Sequence, residues 1–182
     1  VRARFLTDIA RNPNNAAILR RWHRLDLPDL WLVAGCLFQT VWNLQLGRPP
    51  SSGIKDYDLF YFDAVDRSAE SERQAGERVK EVLSDLGLTV EVVNQARVHQ
   101  WYERDFGYPY PQLHSAEEGI RRFLVLETCV GVRADDCIAP YGLDGIYEGT
   151  LSPNPLVPHK NVFSAKIASY CSRWPHLVAS GV

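Results

Sequence analysis

Several things are scarce in this chain, and each scarcity narrows what it can be. Cysteine occurs four times, at Cys36, Cys129, Cys137 and Cys171, and never as Cys-x-x-Cys. That spacing argues against a zinc ribbon or a thioredoxin-type dithiol. With an ordinary core composition and no secretory signal in view, these residues are expected as reduced thiols in the cytoplasm. No apolar run approaches the roughly 20 residues that a membrane helix needs. The opening VRARFLTDIARNPNN lacks the apolar centre of a signal peptide and alternates as a short amphipathic helix does. An excess of one charge is missing as well: 20 Lys+Arg stand against 22 Asp+Glu, a net charge of −2. A chain built to coat nucleic acid is usually basic, so there is no strong nucleic-acid signal. Neither Gly-x-Gly-x-x-Gly nor a Walker sequence occurs.

What remains is an ordinary globular composition, 46% apolar and 23% charged, over 182 residues. That is enough for a single domain, 1–182, with a substantial core. Turn formers in NPNN precede Ala17, Leu19, Trp22 and Leu25 at helical spacing, so residues 1–28 read as a helical segment. DLWLVAG reads as a buried strand, CLFQTVWNLQLG as a helix, and IKDYDLFYF as a second strand. Ser68 is placed to cap a helix whose apolar stripe is Ala75, Val79, Val82, Leu83 and Leu86, with Gly87 beyond its end. LTVEVV is a third strand and ARVHQWYERDFG a short helix. A Ser-x-x-Glu capping box, Ser115 to Glu118, opens a helix through the following apolar run, and Arg133 is expected at its carbonyl end. A short strand is expected near 137–139 and a closing helix over 160–174. This order predicts an α+β (α/β-type) fold with a small mixed sheet flanked by helices, although a parallel doubly wound sheet fits it too.

The second strand is unusual because it carries Asp56 and Asp58, two residues apart. Strands are depleted in aspartate, and side chains two apart share a face. Two neighbouring carboxylates repel unless a positive charge lies between them. A divalent ion with oxygen ligands, Mg²⁺ or Mn²⁺, meets that need. The plain alternative is that Asp56 caps a turn and Asp58 pairs with Lys55 or an arginine. Glu91, alone in a β-branched strand, is a third candidate carboxylate if the two strands are neighbours; otherwise it is an exposed edge charge. Beyond it, Asn94, Arg97 and Trp101 share a face at helical spacing and can form an aromatic platform with two polar readers. Here too a plain reading stands beside it, with Trp101 in the core and His99 exposed. Asp63 and Asp144 read as turn residues.

Gly35-Cys36 before a helix, then Asp-x-Asp on a strand, then an acid on a later strand, resembles the polymerase-β-type nucleotidyltransferase superfamily. LVAGCLFQTVWN, IKDYDLFYFD, NQARVHQWY, VGVR and APYGLDGIY…PNP, in that order, closely resemble segments of one bacterial family of nucleotidyltransferase-like proteins, over about residues 30–155. The resemblance implies a polymerase-β-like fold and metal-dependent transfer of a nucleoside monophosphate from a nucleoside triphosphate to an unknown acceptor. It implies that Gly35 and Cys36 face the nucleotide phosphates. Asp56, Asp58 and Glu91 would be the catalytic and metal-binding acids. Lys55 and Arg97, with Arg48, are the candidate cations for the triphosphate. Cys36 stands where a serine is common, which leaves backbone contacts there. The alternative is a catalytically silent nucleotide-binding or protein-interaction module on the same fold.

Overall fold

The computed structural model describes residues 1–134 and 136–180. Its centre is a five-stranded sheet in the order β3 (Val90–Asn94), β2 (Tyr57–Tyr61), β1 (Trp31–Val33), β4 (Gly131–Arg133), β5 (Asp136–Ile138). Within this sheet β2 and β3 run parallel, β1 is antiparallel to β2 and to β4, and β4 to β5. The sheet is therefore mixed, and the doubly wound alternative is excluded.

Local chemistry explains the flanking elements. Helix α1 (Arg2–Ala10) buries Phe5 and Ile9. Helix α2 (Pro13–Arg20) begins on Asn12, whose side chain accepts from the Asn14 amide, with proline in its first position. A single turn, α3 (Trp22–Leu25), ends the N-terminal helices. Helix α4 (Gly35–Gln45) follows β1 directly. Helix α5 (Ala69–Val82) starts where the Ser68 hydroxyl accepts from the Ser71 amide, and a 3₁₀ turn over Ser84–Leu86 leads to left-handed Gly87. It forms the crossover that parallel β2 and β3 require. The remaining helices are α6 (Tyr102–Phe106), α7 (Ala116–Ile120), α8 (Asp144–Glu148) and α9 (Lys160–Arg173). A second pair, β6 (Thr150–Leu151) and β7 (Val178–Ala179), ties the C-terminus down.

Two expectations need correction. The helix after Ser115 stops at Ile120; a 3₁₀ turn over Leu126–Thr128 and then β4 replace the rest. A short apolar run does not distinguish a buried strand from a helix. Arg133 consequently ends a strand rather than a helix. Its guanidinium lies 4.4 Å from the Trp31 ring centroid and 3.2 Å from Asp136.

The period-two pattern of β2 splits the core in two. Tyr57, Leu59 and Tyr61 point into the main core with Leu32, Leu37, Trp42, Val79 and Tyr170. The opposite face holds a smaller cluster, Trp31, Val33, Ala116, Ile120 and Cys129, packed against Phe60 and Phe123. In the main core, Trp42 lies against Phe38, Tyr170 and Trp174, with ring centroids 4.8–5.3 Å apart, and so joins α4 to α9. Asn43 beside it is buried and fully engaged. Its Nδ2 donates to the carbonyls of Pro50 (3.2 Å) and Ser52 (2.8 Å), and its Oδ1 accepts from the Trp174 indole (2.8 Å). One side chain thus fastens α4, the loop that leads to Asp56, and the end of α9. Replacing it leaves the buried Trp174 indole and the part-buried carbonyls of Pro50 and Ser52 unpaired; the indole carries the full penalty of about 1–3 kcal/mol and each carbonyl a smaller one. We expect Asn43→Ala to lower the unfolding free energy by about 3 kcal/mol, read as a shift in the urea midpoint at an unchanged m-value.

Candidate active site

Strand register brings the acids together. Asp58 on β2 is the direct partner of Glu91 on parallel β3, and on its other side of Val33 at the end of β1. Asp56 sits just before β2 begins. All three acids line one cavity of about 550 Å³. Not one of them has an ion-pair partner among the described residues, so the plain alternative, an Asp58 pair with Lys55 or an arginine, is not formed. Glu91 is exposed on the edge strand, as its plain reading expected, yet still reaches the cavity wall. Burial, then the charges of Asp56 and Glu91, push the Asp58 carboxyl up to about 7, with the Lys166 ammonium pulling the other way.

The turn from β1 into α4 sits beside them, and buried polar contacts hold it. Ala34, just before α4, has φ 62° and ψ −141°, a left-handed conformation costly for a residue with a Cβ. The Cys36 carbonyl accepts from Asn15 Nδ2 (2.9 Å) and Thr40 Oγ1 (2.7 Å), and Thr40 Oγ1 accepts from Asn12 Nδ2 (3.0 Å). These contacts bind α2 to the first turn of α4. Gly35 lines the cavity, and a Cβ there would lie 2.5 Å from Gln39 Nε2. The glycine therefore lets the Gln39 amide lie against the helix start, in the space a side chain would need. Cys36 is wholly buried and does not line the cavity; its thiol donates to the Val33 carbonyl at 3.2 Å. Burial first, then the Asp58 charge, push this thiol well above its usual range, so it stays neutral.

The expected cations lie elsewhere. Lys55 is exposed in the turn before β2 and does not line the cavity. Arg48 donates to the Arg173 carbonyl at 2.6 Å. Arg97 is paired with Glu72, and its Nε donates to the Arg67 carbonyl at 3.3 Å. The helical face proposed for Asn94, Arg97 and Trp101 does not exist, because Asn94 closes β3 and a 3₁₀ turn (Val98–Gln100) follows. Asn94 is a buried bracket: its Oδ1 accepts from the Asp63 and Ala96 amides and its Nδ2 donates to the Asp63 carbonyl. Trp101 does line the cavity.

The cations actually present are Lys166 on α9 and Arg122 just after α7, and neither has a carboxylate partner among the described residues. Sequence reading missed both, although each left a trace. Val162, Lys166 and Tyr170 recur at four-residue spacing on α9 and all line the cavity. In the Arg121–Arg122 doublet, Arg121 is taken by Glu117 one turn back, which leaves Arg122 over. Asp63 is a turn residue, its carboxylate accepting from the Val65 amide, whereas Asp144 opens α8 rather than sitting in a turn.

The donor set fits a hard divalent cation in kind: oxygen ligands, unpaired, with a carboxyl destabilised by its neighbours' charge. It is not drawn into a finished shell, since among the described residues no group of three His, Cys, Asp or Glu side chains is gathered closely enough to hold an ion.

With this geometry in place, the chain can be set beside known proteins. A family profile described as "Nucleotidyltransferase" matches residues 20–179. No curated protein sequence matches. A solved structure described as revealing a CCA-adding enzyme head domain superposes with a TM-score of 0.79 at 23% identity, covering 98% of this chain and 95% of that one. That likeness shows the fold, α+β with a small mixed sheet flanked by helices.

The Asp58 carboxyl gives a pH signature. Its folded pKa lies above the ordinary 3.8, so between about pH 4 and 7 the folded state holds a proton that the unfolded state has released. Its contribution to stability is complete below about pH 4 and is lost as pH rises through about 7. In EDTA, Asp58→Asn is expected to flatten this decline and to exceed the wild type by up to about 4 kcal/mol at pH 8, measured by urea unfolding at a series of pH values.

Proposed function

The chain belongs to this nucleotidyltransferase family, and from that premise we propose that it transfers a nucleoside monophosphate from a nucleoside triphosphate to an acceptor hydroxyl, with Mg²⁺ or Mn²⁺. One observation carries the reading: unpaired Asp58 and Glu91 stand side by side across a parallel strand pair, with Asp56 next to them and the start of α4 on the same cavity wall. Phosphoryl-type transfer gains mostly from positioning and from neutralising charge, and these parts supply both.

In this reading the backbone at Gly35 and the start of α4 bind the phosphates, where the helix dipole favours negative charge. Lys166 and Arg122 take part of the triphosphate charge, in the role first expected of Lys55 and Arg97. Asp56, Asp58 and Glu91 would hold the divalent ions, which supply the charge that clamps attacking and leaving oxygens. The acceptor oxygen bonds to the α-phosphorus, the bond to pyrophosphate breaks, and Glu91 receives the hydroxyl proton. The silent-module reading is favoured by the buried Cys36 thiol and by the unfinished carboxylate shell; it predicts nucleotide binding without turnover.

The test is pyrophosphate release from each of the four nucleoside triphosphates with Mg²⁺ or Mn²⁺. Asp56→Ala/Asp58→Ala is expected to lower the rate by about a thousandfold or more and to abolish the rise in melting temperature that the metal produces. Release unchanged in the double variant, or nucleotide binding without release in the wild type, would refute the enzymatic reading.

A further inference from the structure

The cavity holds more than acids and cations. Trp101, Tyr102, Phe106 and Tyr110, from the segment after β3, line it too. Among these aromatics lies Gln95, the residue that follows β3, with only 2% of its surface exposed. Its backbone amide donates to the Tyr61 carbonyl (2.8 Å), but its side-chain Nε2 is buried and has no hydrogen-bond partner. The indole Nε1 of Trp101 is in the same condition. A buried donor without a partner is a cost that native proteins rarely keep without a use.

The position is also protected. Gly119 in α7 packs against the Gln95 amide so closely that a Cβ there would lie 2.1 Å from Oε1. The fold therefore admits this polar side chain between β3 and α7 and leaves its donor unmatched inside the protein. Asn94, one residue earlier, is treated differently and has every side-chain atom engaged, whereas the Gln39 Oε1 on the same cavity wall is, like Gln95 Nε2, buried without a partner.

We propose that Gln95, with the Trp101 indole, selects the ligand by donating hydrogen bonds to acceptor atoms on the edge of a heteroaromatic ring, a carbonyl oxygen or ring nitrogen of a nucleobase, held among the cavity aromatics. Base–aromatic stacking tolerates any ring. Discrimination then falls to the polar edge, where a site built to hydrogen-bond rejects a ring that leaves its buried groups unpaired. The inference rests on the nucleotide reading of the cavity. The ring can come from the nucleoside triphosphate or from the acceptor molecule.

Gln95→Met, similar in volume and without polar atoms, is the test, with Trp101→Phe as a second variant that keeps the ring and loses the donor. Calorimetry with Mg²⁺ compares the four α,β-methylene nucleoside triphosphates, the four nucleosides and inorganic tripolyphosphate. Each variant is expected to weaken the preferred ring by about tenfold, to erase most of the preference between rings, and to leave tripolyphosphate within about twofold. Gln95→Met should melt no lower than the wild type and about 3 °C higher if the freed donor is fully relieved. Loss seen with the triphosphates places the ring on the donor nucleotide; loss confined to free nucleosides places it on the acceptor. Unchanged affinities, an equal loss for tripolyphosphate, or a lowered melting point with intact selectivity would each overturn the assignment. If neither tripolyphosphate nor any nucleotide binds the wild type, the nucleotidyl-transfer reading itself fails, and this one with it.

Discussion

A parallel strand pair that sets one carboxylate directly beside another creates a repulsion that the rest of the domain must accommodate. Asp58 and Glu91 are register partners and Asp56 adds a third negative charge. Among the described residues no ion pair quenches that charge. The domain opens a cavity there, places the start of a helix on one wall, and brings Lys166 and Arg122 to the lining. Much of the remaining architecture holds those parts in place: Asn15 and Thr40 on the Cys36 carbonyl, with Asn12 on Thr40, fix the helix start, and Asn94 fixes the end of the strand carrying Glu91. Stability is surrendered at the acids and recovered in buried polar brackets that have no part in the chemistry.

The elements that define this arrangement could be read from residues alone because they follow simple periods. Alternation in DYDLFYF sorts Asp58 from Tyr57 and Leu59, and the Ser68 cap with its apolar stripe marks the crossover that makes β2 and β3 parallel neighbours. The acids were legible for a chemical reason, since charge inside an apolar strand requires a partner. Length defeated the reading elsewhere. Strand β4 has three residues, too few to show a period, and it disappears into an apolar run. The cations were misjudged because proximity in sequence stood in for proximity in space. Lys55 and Arg97 flank the acids along the chain, yet one faces solvent and the other is committed to Glu72. Lys166 arrives from a helix more than seventy residues beyond Glu91; its four-residue recurrence with Val162 and Tyr170 marks a helix face but not the acids that face meets.

Cys36 shows how a substitution can be conservative in the backbone and radical at the surface. The pattern it resembles often has a hydroxyl at that place. Here the side chain turns inward, donates to the Val33 carbonyl and is sealed in the core. The neighbouring glycine and the unusual Ala34 backbone carry the presentation of the helix start. In the proposed function, recognition of the phosphates at this point falls to main-chain groups, which a thiol neither supplies nor obstructs.

Asn43 has a mechanical meaning beyond its contribution to stability. Through it, the loop running into Asp56 and the last turn of the helix bearing Lys166 are joined to one amide. The negative and positive sides of the cavity are thereby carried on a single frame, without an intervening hinge in those connections. For a ligand of the proposed kind, a cavity framed in this way is sized in advance, because the span between acid and cation is inherited from the core.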